Sequence, residues 1–536
     1  MRKVIEGRSL RWDEARAGKA YADGHWVRET LLDALACELA TTPTRPLLVE
    51  GDVILTPEVL DDHARRLAHE MLSRYPAGSV ISLMLPNWHE ALIIYVAATM
   101  AGMVVHPVLP SLRANELRYM LADVNCRMIF IPEHYRNCDY PEMLSRALEG
   151  FDLPPQVVVV RGESADSCYF EALASGPKAQ SLPELEADAV RMIMYTSGTT
   201  GSPKGVMHTH NSIHALIRQI GDHWGISRAS RFLVASPISH IGGSIYAFET
   251  PLILGATTFL MEHWDPALGV DLLVSQQCTH FAGATPFLSQ TLDEARRKST
   301  RLPDLEVFIC GGASVPPSLI SESQEYFEQA RVSRVYGSTE VPVTTVGALG
   351  DGEEQFAAET DGRAGIAQIK LKGGEVFARG PQMLVGYVHA EDESEVFDAQ
   401  GYYRTGDLGS WVNGHYLVIS GRSKDIIIRN GENIAPKEIE DLAIRHPAVN
   451  EIAVVGIPND KTGEQAVAIV VVTEGHTFDL PQLFDFMVEH EMAKFKIPER
   501  VECWAQLPKN DAGKVLKHKI RQQLLATDTS KAGDND

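Results

Sequence analysis

The chain has 536 residues, a length that predicts about two to four domains with several buried cores. The formal net charge of −22 argues against nucleic acids and anionic membranes as general partners. The seven cysteines form no C-x-x-C pair, which disfavours a disulfide framework or a zinc knuckle and favours a cytoplasmic location. The charged N-terminus lacks the apolar core of a secretory signal.

The first third of the chain alternates helical and strand patterns. Thr56-Pro57-Glu58 predicts the start of a helix, because it supplies a capping residue, a first-turn proline and an acid. There follow a strand over 79–85, a helix from Asn87, a strand near 104, a helix over 111–123 and a strand over 128–131. The apolar stretch Ala91–Val108 predicts a buried helix and then a strand, with a membrane span as the weaker alternative. Repeated strand–helix units indicate a parallel sheet covered on both faces.

The pattern of predicted elements changes twice after residue 186. Residues 186–345 continue the strand–helix pattern, whereas 346–420 are rich in glycine turns and predict a small antiparallel barrel. After Gly421 the pattern reads strand, helix, strand, strand, helix, strand, helix, which predicts a compact α+β domain. The polar residues at the C-terminus predict a disordered tail.

The segment Tyr195–Val206, YTSGTTGSPKGV, follows an apolar strand and combines glycines, hydroxyl groups and Lys204. Glycine lets the backbone approach a ligand closely, and the exposed N–H and O–H donors suit phosphate. The segment does not fit G-x-x-x-x-G-K-[ST], because Pro203 stands where the second glycine is required and Gly205 follows the lysine. It therefore indicates a phosphate loop of another type.

Four more motifs follow in order, and with them the chain resembles the adenylate-forming superfamily, closest to acyl-CoA synthetases. They are Tyr336–Glu340 (YGSTE), Tyr403–Leu408 (YRTGDL), Gly421–Ile428 (GRSKDIII) and Pro508–Lys514 (PKNDAGK). The superfamily also contains nonribosomal adenylation domains and beetle luciferases. The resemblance covers about residues 30–525.

The resemblance implies an α/β fold with two parts. A large N-terminal domain, 1–420, would hold two doubly wound sheets plus a small β-barrel and would bind ATP and the acid. A hinge at 421–426 would lead to a small mobile α+β domain, 427–526, and a disordered tail at 527–536.

The resemblance also implies a two-step reaction. A carboxylic acid would attack the α-phosphorus of ATP, giving acyl-AMP and pyrophosphate, and CoA would then take the acyl group. Mg²⁺ is the implied cofactor, with ATP and CoA as co-substrates. Left open are an acyl-AMP ligase that stops at the adenylate or passes it to a carrier protein or partner acyltransferase, a luciferase-like oxygenase and a homo-oligomer. The presence of Lys204, Glu340, Asp407 and Lys514 argues against an inactive nucleotide-binding regulator.

Residues matching the family motifs acquire implied roles. Lys514 would bridge the carboxylate and the α-phosphate, Thr339 would bond that phosphate, Asp407 would accept the ribose hydroxyls, and Glu340 with Thr196 would hold the metal. His240 would stand beside the carboxylate. The implied nucleotide site comprises Thr196, Ser197, Gly198, Thr199, Thr200, Gly201, Lys204, Gly312, Tyr336, Gly337, Asp407 and Arg422.

Three further regions are implied. Lys424 would be the hinge pivot, and Gly431 and Glu432 would line the CoA tunnel. The implied acid pocket comprises His240, Gly242, Gly243, Gly283, Gly311 and Val341. Apart from His240 these residues are small or apolar, so they indicate an apolar or bulky substrate, whether a medium-chain, aryl, alicyclic or terpenoid acid, in a pocket widened by missing side chains. Phe248-Glu-Thr-Pro251 offers no Asp for an α-ammonium group.

Overall fold

The computed structural model describes residues 2–162, 170–196, 203–312, 315–459, 461–510 and 513–533. In chain order the strands are β1 Arg2–Ile5, β2 Arg8–Arg11, β3 Leu48–Glu50, β4 Val53–Leu55, β5 Val80–Leu83, β6 Val104–Pro107, β7 Cys126–Pro132, β8 His134–Tyr135, β9 Cys138–Asp139, β10 Gln156–Val160, β11 Val190–Thr196, β12 Lys204–Thr209, β13 Arg231–Val234, β14 Thr257–Leu260, β15 His280–Gly283, β16 Val307–Gly311, β17 Arg331–Val335, β18 Gln368–Lys372, β19 Glu375–Arg379, β20 Tyr403–Val412, β21 Tyr416–Arg422, β22 Ile427–Arg429, β23 Glu432–Ile434, β24 Val449–Asn459, β25 Gly463–Val472 and β26 Arg500–Cys503.

The α-helices are α1 Glu14–Ala22, α2 Leu31–Thr41, α3 Pro57–Arg74, α4 His89–Met100, α5 Ala114–Asp123, α6 Tyr140–Leu148, α7 Phe170–Ala174, α8 His210–Trp224, α9 Ile241–Ser244, α10 Thr250–Ile253, α11 Pro266–Ser275, α12 Thr285–Arg297, α13 Pro317–Tyr326, α14 Glu354–Glu359, α15 Pro436–Ala443, α16 Leu480–Glu489 and α17 Lys517–Gly533. A π-helical turn, Ile245–Glu249, joins α9 to α10, and short 3₁₀ turns occur at Ala390–Glu393, Ser423–Asp425 and Lys494–Lys496.

Two large sheets form the N-terminal part and confirm the expected α/β class. The first has the order β10-β7-β5-β6-β11-β12, in which only β12 runs antiparallel to its neighbour. The second has the order β17-β16-β15-β13-β14-β3-β4, with β4 as its antiparallel edge. The largest apolar core contains side chains of both sheets and of α3, α4 and α8.

The apolar stretch around Ala91 is a buried helix, as predicted. Every residue of α4 from Glu90 to Met100 is buried, because the helix packs in the largest core. Among the described residues, no helix combines the length and the apolar character needed to cross a membrane. The capping expected at the start of α3 is also observed, since the Thr56 hydroxyl accepts a hydrogen bond from the Val59 N–H.

The region expected to form a small barrel is a four-stranded antiparallel sheet in the order β18-β19-β20-β21. Within the described residues its outer strands, β18 and β21, are not paired with each other, so the sheet is open. Tight glycine turns connect its first two strands, with Gly373 and Gly374 both at positive φ. Short strands and glycine turns are the sequence pattern on which the barrel prediction depends. That pattern does not determine whether the two edge strands pair and close the sheet into a barrel.

The C-terminal part is an α+β unit around a sheet of β22 to β26, with one core on each face. The predicted first strand is in fact the hairpin of β22 and β23. The helix α17 continues to Gly533, into the segment for which disorder is expected, and the disorder of the tail stays a prediction. No glycine or proline interrupts 526–532, and a polar sequence alone does not end a helix.

Candidate active site

The glycine-rich segment lies between two antiparallel strands. β11 ends at Thr196 and β12 begins at Lys204, and these two residues are paired across the hairpin. Parallel β6 lies on the other side of β11, so the hairpin stands at the edge of the first sheet. The predicted triphosphate ligands Ser197, Gly198, Thr199, Thr200 and Gly201 lie outside the described residues.

A buried carboxylate, Glu340, stands beside the hairpin. It accepts hydrogen bonds from the Tyr387 hydroxyl at 3.1 Å and the Thr196 hydroxyl at 3.5 Å. Such oxygen donors suit Mg²⁺, so Glu340 and Thr196 fit the metal role that the sequence predicts for them. The adjacent Thr339 carbonyl accepts a hydrogen bond from His208 Nε2 at 2.7 Å. Burial lowers the pKa of His208 to about 4, so this histidine is neutral and serves to hold the motif.

The predicted ribose ligands are brought together by two paired strands. Asp407 on β20 stands opposite Arg422 on β21, and Arg422 Nε lies 3.1 Å from Asp407 Oδ1. The Tyr336 hydroxyl donates to the other carboxylate oxygen at 2.6 Å. Burial raises the pKa of Asp407, and the charge of Arg422 opposes that shift. The turn before Glu340 requires Gly337, because an added Cβ would lie 2.6 Å from the Val343 nitrogen.

Lys514 reaches this cluster from the C-terminal part. The pKa of Lys514 is lowered to about 8, first by loss of hydration among the surrounding groups and then by the charge of Arg422, whereas Asp407 opposes the shift. The residue is nevertheless exposed to solvent, and its ammonium lies near Arg422 and Asp407. The preceding Gly513 has φ +78°, and a Cβ there would be 3.3 Å from Pro286 of α12. The loop that carries Lys514 therefore rests directly on the N-terminal part.

His240 lies in the same cleft, near Lys514. Its ring accepts a hydrogen bond from the Gly242 N–H at 3.2 Å, so the ring caps the short helix α9. Loss of hydration lowers the pKa of His240, although the residue is exposed to solvent, and the positive charge of Lys514 lowers it further. His240 is therefore neutral near physiological pH and close to Lys514, as a residue beside a substrate carboxylate would be.

The predicted pivot lies between residues tied to different parts of the chain. The Ser423 hydroxyl donates to the Gly406 carbonyl of the four-stranded sheet at 3.1 Å. Asp425 accepts a hydrogen bond from Arg521 of α17, also at 3.1 Å. Lys424 stands between these two attachments and is exposed.

The residues predicted for the CoA tunnel form the turn between β22 and β23. Asn430 and Gly431 have φ of 52° and 83°, which is the geometry of a tight hairpin turn, and Glu432 is exposed just after it. Nothing lies within 4 Å of where a Cβ on Gly431 would be. The CoA role of these residues stays a prediction.

The expectation that missing side chains widen the acid pocket is wrong for three of its glycines. A Cβ on Gly243 would lie 2.1 Å from the Pro237 oxygen, one on Gly283 would lie 2.8 Å from the Phe287 ring, and one on Gly311 would lie 2.8 Å from the Val335 oxygen. These glycines permit close packing of the protein against itself.

Gly242 differs, because a Cβ there would meet only the His240 ring, at 3.5 Å. Gly312, predicted for the nucleotide, has φ +83° and open space around its Cα. Val341 is also not a pocket wall: it is 1% exposed and packs in a closed apolar cluster with Val206 and Tyr387.

Sequence reasoning missed several side chains that support the site. Tyr387 bonds to Glu340, and its own hydroxyl lies 3.5 Å from that of Tyr403. Lys204 Nζ lies 3.3 Å from Asp392 Oδ1. Tyr403 begins the YRTGDL motif, so the sequence offered a reason to include it in the site. Tyr387 follows Gly386 in a glycine-rich region, and no motif surrounds Asp392, so the sequence pattern does not identify either residue.

With this geometry established, comparison with known proteins defines the class. The model of the AMP-binding enzyme family matches residues 36–388, and that of the AMP-binding enzyme C-terminal domain matches 438–514. The chain therefore belongs to the AMP-binding enzyme family and is an AMP-forming acid–CoA ligase.

Two curated relatives and one solved structure span nearly the whole chain. The medium-chain fatty-acid–CoA ligase of Escherichia coli (strain K12) is 29% identical over 537 residues, covering 96% of this chain and 94% of its own. The 3-[(3aS,4S,7aS)-7a-methyl-1,5-dioxo-octahydro-1H-inden-4-yl]propanoyl:CoA ligase of Rhodococcus jostii (strain RHA1) is 30% identical over 492 residues, covering 89% and 95%. ATP-bound MatB from Rhodopseudomonas palustris superposes with a TM-score of 0.81 at 25% identity, covering 92% of this chain and 99% of that one.

Proposed function

We propose that this enzyme converts an apolar, ring-bearing or medium-chain carboxylic acid to its acyl-AMP with release of pyrophosphate, and then to its CoA thioester. The observation that carries the proposal is the meeting of Lys514, Asp407, Arg422 and His240 in one cleft beside Glu340. Together these residues offer a cation, a diol acceptor and a neighbour for the substrate carboxylate, which are the groups that the first step requires.

The chemistry of the first step brings two anions together. The carboxylate of the acid attacks the α-phosphorus of ATP, the acyl C–O–P bond forms, and the bond to pyrophosphate breaks. Lys514 neutralises both anions as they approach, and it is held in place beforehand by its loop on Pro286. A bound Mg²⁺ would neutralise charge on the departing pyrophosphate, with Glu340 and Thr196 holding it.

The acid side of the cleft supports an apolar substrate. Of the predicted wall residues, His240 and Gly242 remain candidates for the acid side, and neither adds a positive charge there near physiological pH. A substrate with a second carboxylate or a sulfonate would lose its hydration without gaining a cation at its far end. Two curated relatives act on a fatty acid and on a fused-ring propanoate, which are largely apolar, whereas a third, 30% identical, is a sulfoacetate–CoA ligase, so the proposal depends on the uncharged lining and not on the relatives.

The test is pyrophosphate release with a panel of acids, followed by detection of the thioester with CoA. We expect octanoate and ring-bearing propanoates to be used and malonate to be poor. Lys514→Ala should abolish most pyrophosphate release while it leaves CoA transfer from supplied acyl-AMP largely intact; unchanged release would refute the role of Lys514. Accumulation of acyl-AMP without thioester would instead favour a ligase that serves another acceptor.

A further inference from the structure

Lys204, the lysine of the phosphate-loop hairpin, already has an anionic partner. Its ammonium lies 3.3 Å from Asp392 Oδ1, and both side chains are mostly sheltered, with 16% and 27% of their surface exposed. The same ammonium lies 5.6 Å from the centre of the Tyr387 ring, whose hydroxyl bonds to Glu340. Lys204 is thus held in place next to the predicted metal site.

Asp392 belongs to an acidic turn, Ala390–Glu393, whose three acids face three different basic residues. Glu391 lies 3.9 Å from His389 Nδ1, and Glu393 lies 2.8 Å from Arg2 Nη1. The turn is fixed near the hairpin because His389 Nε2 bonds to Asp123, which also accepts a hydrogen bond from Tyr195 of β11. Asp392 is the member of the three that faces Lys204.

We propose that Asp392 is a positioning residue, which forms an ion pair with Lys204 in the nucleotide-free enzyme and is displaced from it by the triphosphate. This inference rests on the proposed function, since it takes Lys204 as a triphosphate ligand. Asp392 carries the same sign of charge as the triphosphate and repels it at Lys204, so part of the binding energy of ATP is used to separate Lys204 from Asp392. The pair keeps the lysine ordered and lowers the affinity for ATP.

The experiment measures MgATP affinity by calorimetry and, separately, the KM for ATP and kcat of pyrophosphate release. Asp392→Asn should lower both the Kd and the KM by about 1.4- to 5-fold, the range expected for losing a partly exposed ion pair. The value of kcat should be retained, and inhibition by pyrophosphate should strengthen. Affinity for AMP should not change, because AMP lacks the outer phosphates.

Two further variants make the result specific. Glu391→Gln removes an equal charge from the same turn, from a residue that does not face Lys204, and should leave the Kd for ATP unchanged. Asp392→Glu keeps a carboxylate at this position, so its Kd for ATP should lie closer to the wild-type value than that of Asp392→Asn does. Melting temperatures of all variants establish that each is folded.

The outcomes separate the inference from the proposed function. An unchanged or weakened affinity for ATP in Asp392→Asn, or equal effects of Asp392→Asn and Glu391→Gln, would overturn the inference even if the wild type activates acids normally. If the wild type binds ATP but releases no pyrophosphate with any acid, the proposed function fails. The calorimetric comparison then still decides whether Asp392 competes for Lys204.

Discussion

At the scale of single residues, the cleft depends on a lysine whose charge is unusually easy to remove. Loss of hydration among the surrounding groups is the main reason that the pKa of Lys514 falls from its ordinary value of about 10.4 to about 8, although the residue is exposed to solvent, and Arg422 and Lys424 add repulsion. Only the protonated ammonium can neutralise the two anions of the first step. The free enzyme therefore begins to lose its active form as the pH rises through the lowered pKa.

This gives a prediction for the pH dependence of adenylation. The kcat/KM for ATP, measured by pyrophosphate release between about pH 6 and 10, should show a falling limb near pH 8. Lys514→Arg keeps a permanent charge in another shape, so its slower reaction should lack that limb. A limb near pH 8 in both enzymes would assign the titration to another group.

At the scale of elements, the sequence was most informative where the chemistry is local. The nucleotide motifs each lie in one short segment, and the structure brings Tyr336, Asp407 and Arg422 into contact as one group. The acid pocket was predicted poorly because a glycine in a sequence does not reveal where its missing side chain would point. Likewise, the contacts of Glu340 with Tyr387 and of Lys204 with Asp392 join segments that are distant along the chain.

The short helix α9 allows a direct test of this difference between neighbouring glycines. In Gly243→Ala the new Cβ would clash with the Pro237 backbone, so we expect the free energy of unfolding to fall by about 1–3 kcal/mol. In Gly242→Ala the new methyl group would make an ordinary contact with His240. That variant should stay folded and lose kcat/KM for ring-bearing acids more than for butyrate. Denaturant unfolding measures the stability of both variants, and kinetics with a panel of acids measure their specificity. Equal stability of Gly243→Ala and Gly242→Ala would contradict the clash expected at Gly243.

At the scale of the whole molecule, the loop that carries Lys514 rests on the N-terminal part, because Gly513 lies against Pro286. Under the proposed function this arrangement serves the first step, and Lys514 would stand in the way of a thiol that approaches the adenylate. We therefore expect the small domain to move before the second step. The attachments of Ser423 to Gly406 and of Asp425 to Arg521 leave Lys424 as the residue about which that movement is expected.

Lys424→Pro tests this expectation. Proline fixes φ near −65° and disfavours the helical region for the residue before it, so it restricts the turn Ser423–Asp425. Adenylate formation should persist, because the present arrangement already serves it, whereas thioester formation should fall at least about tenfold further. Lys424→Ala is the matched control: it removes the same charge, which also acts on the pKa of Lys514, but leaves the backbone free. Single-turnover measurements of acyl-AMP and thioester separate the two steps. Equal loss in both steps, or the same loss in the alanine variant, would show that residue 424 is not the pivot.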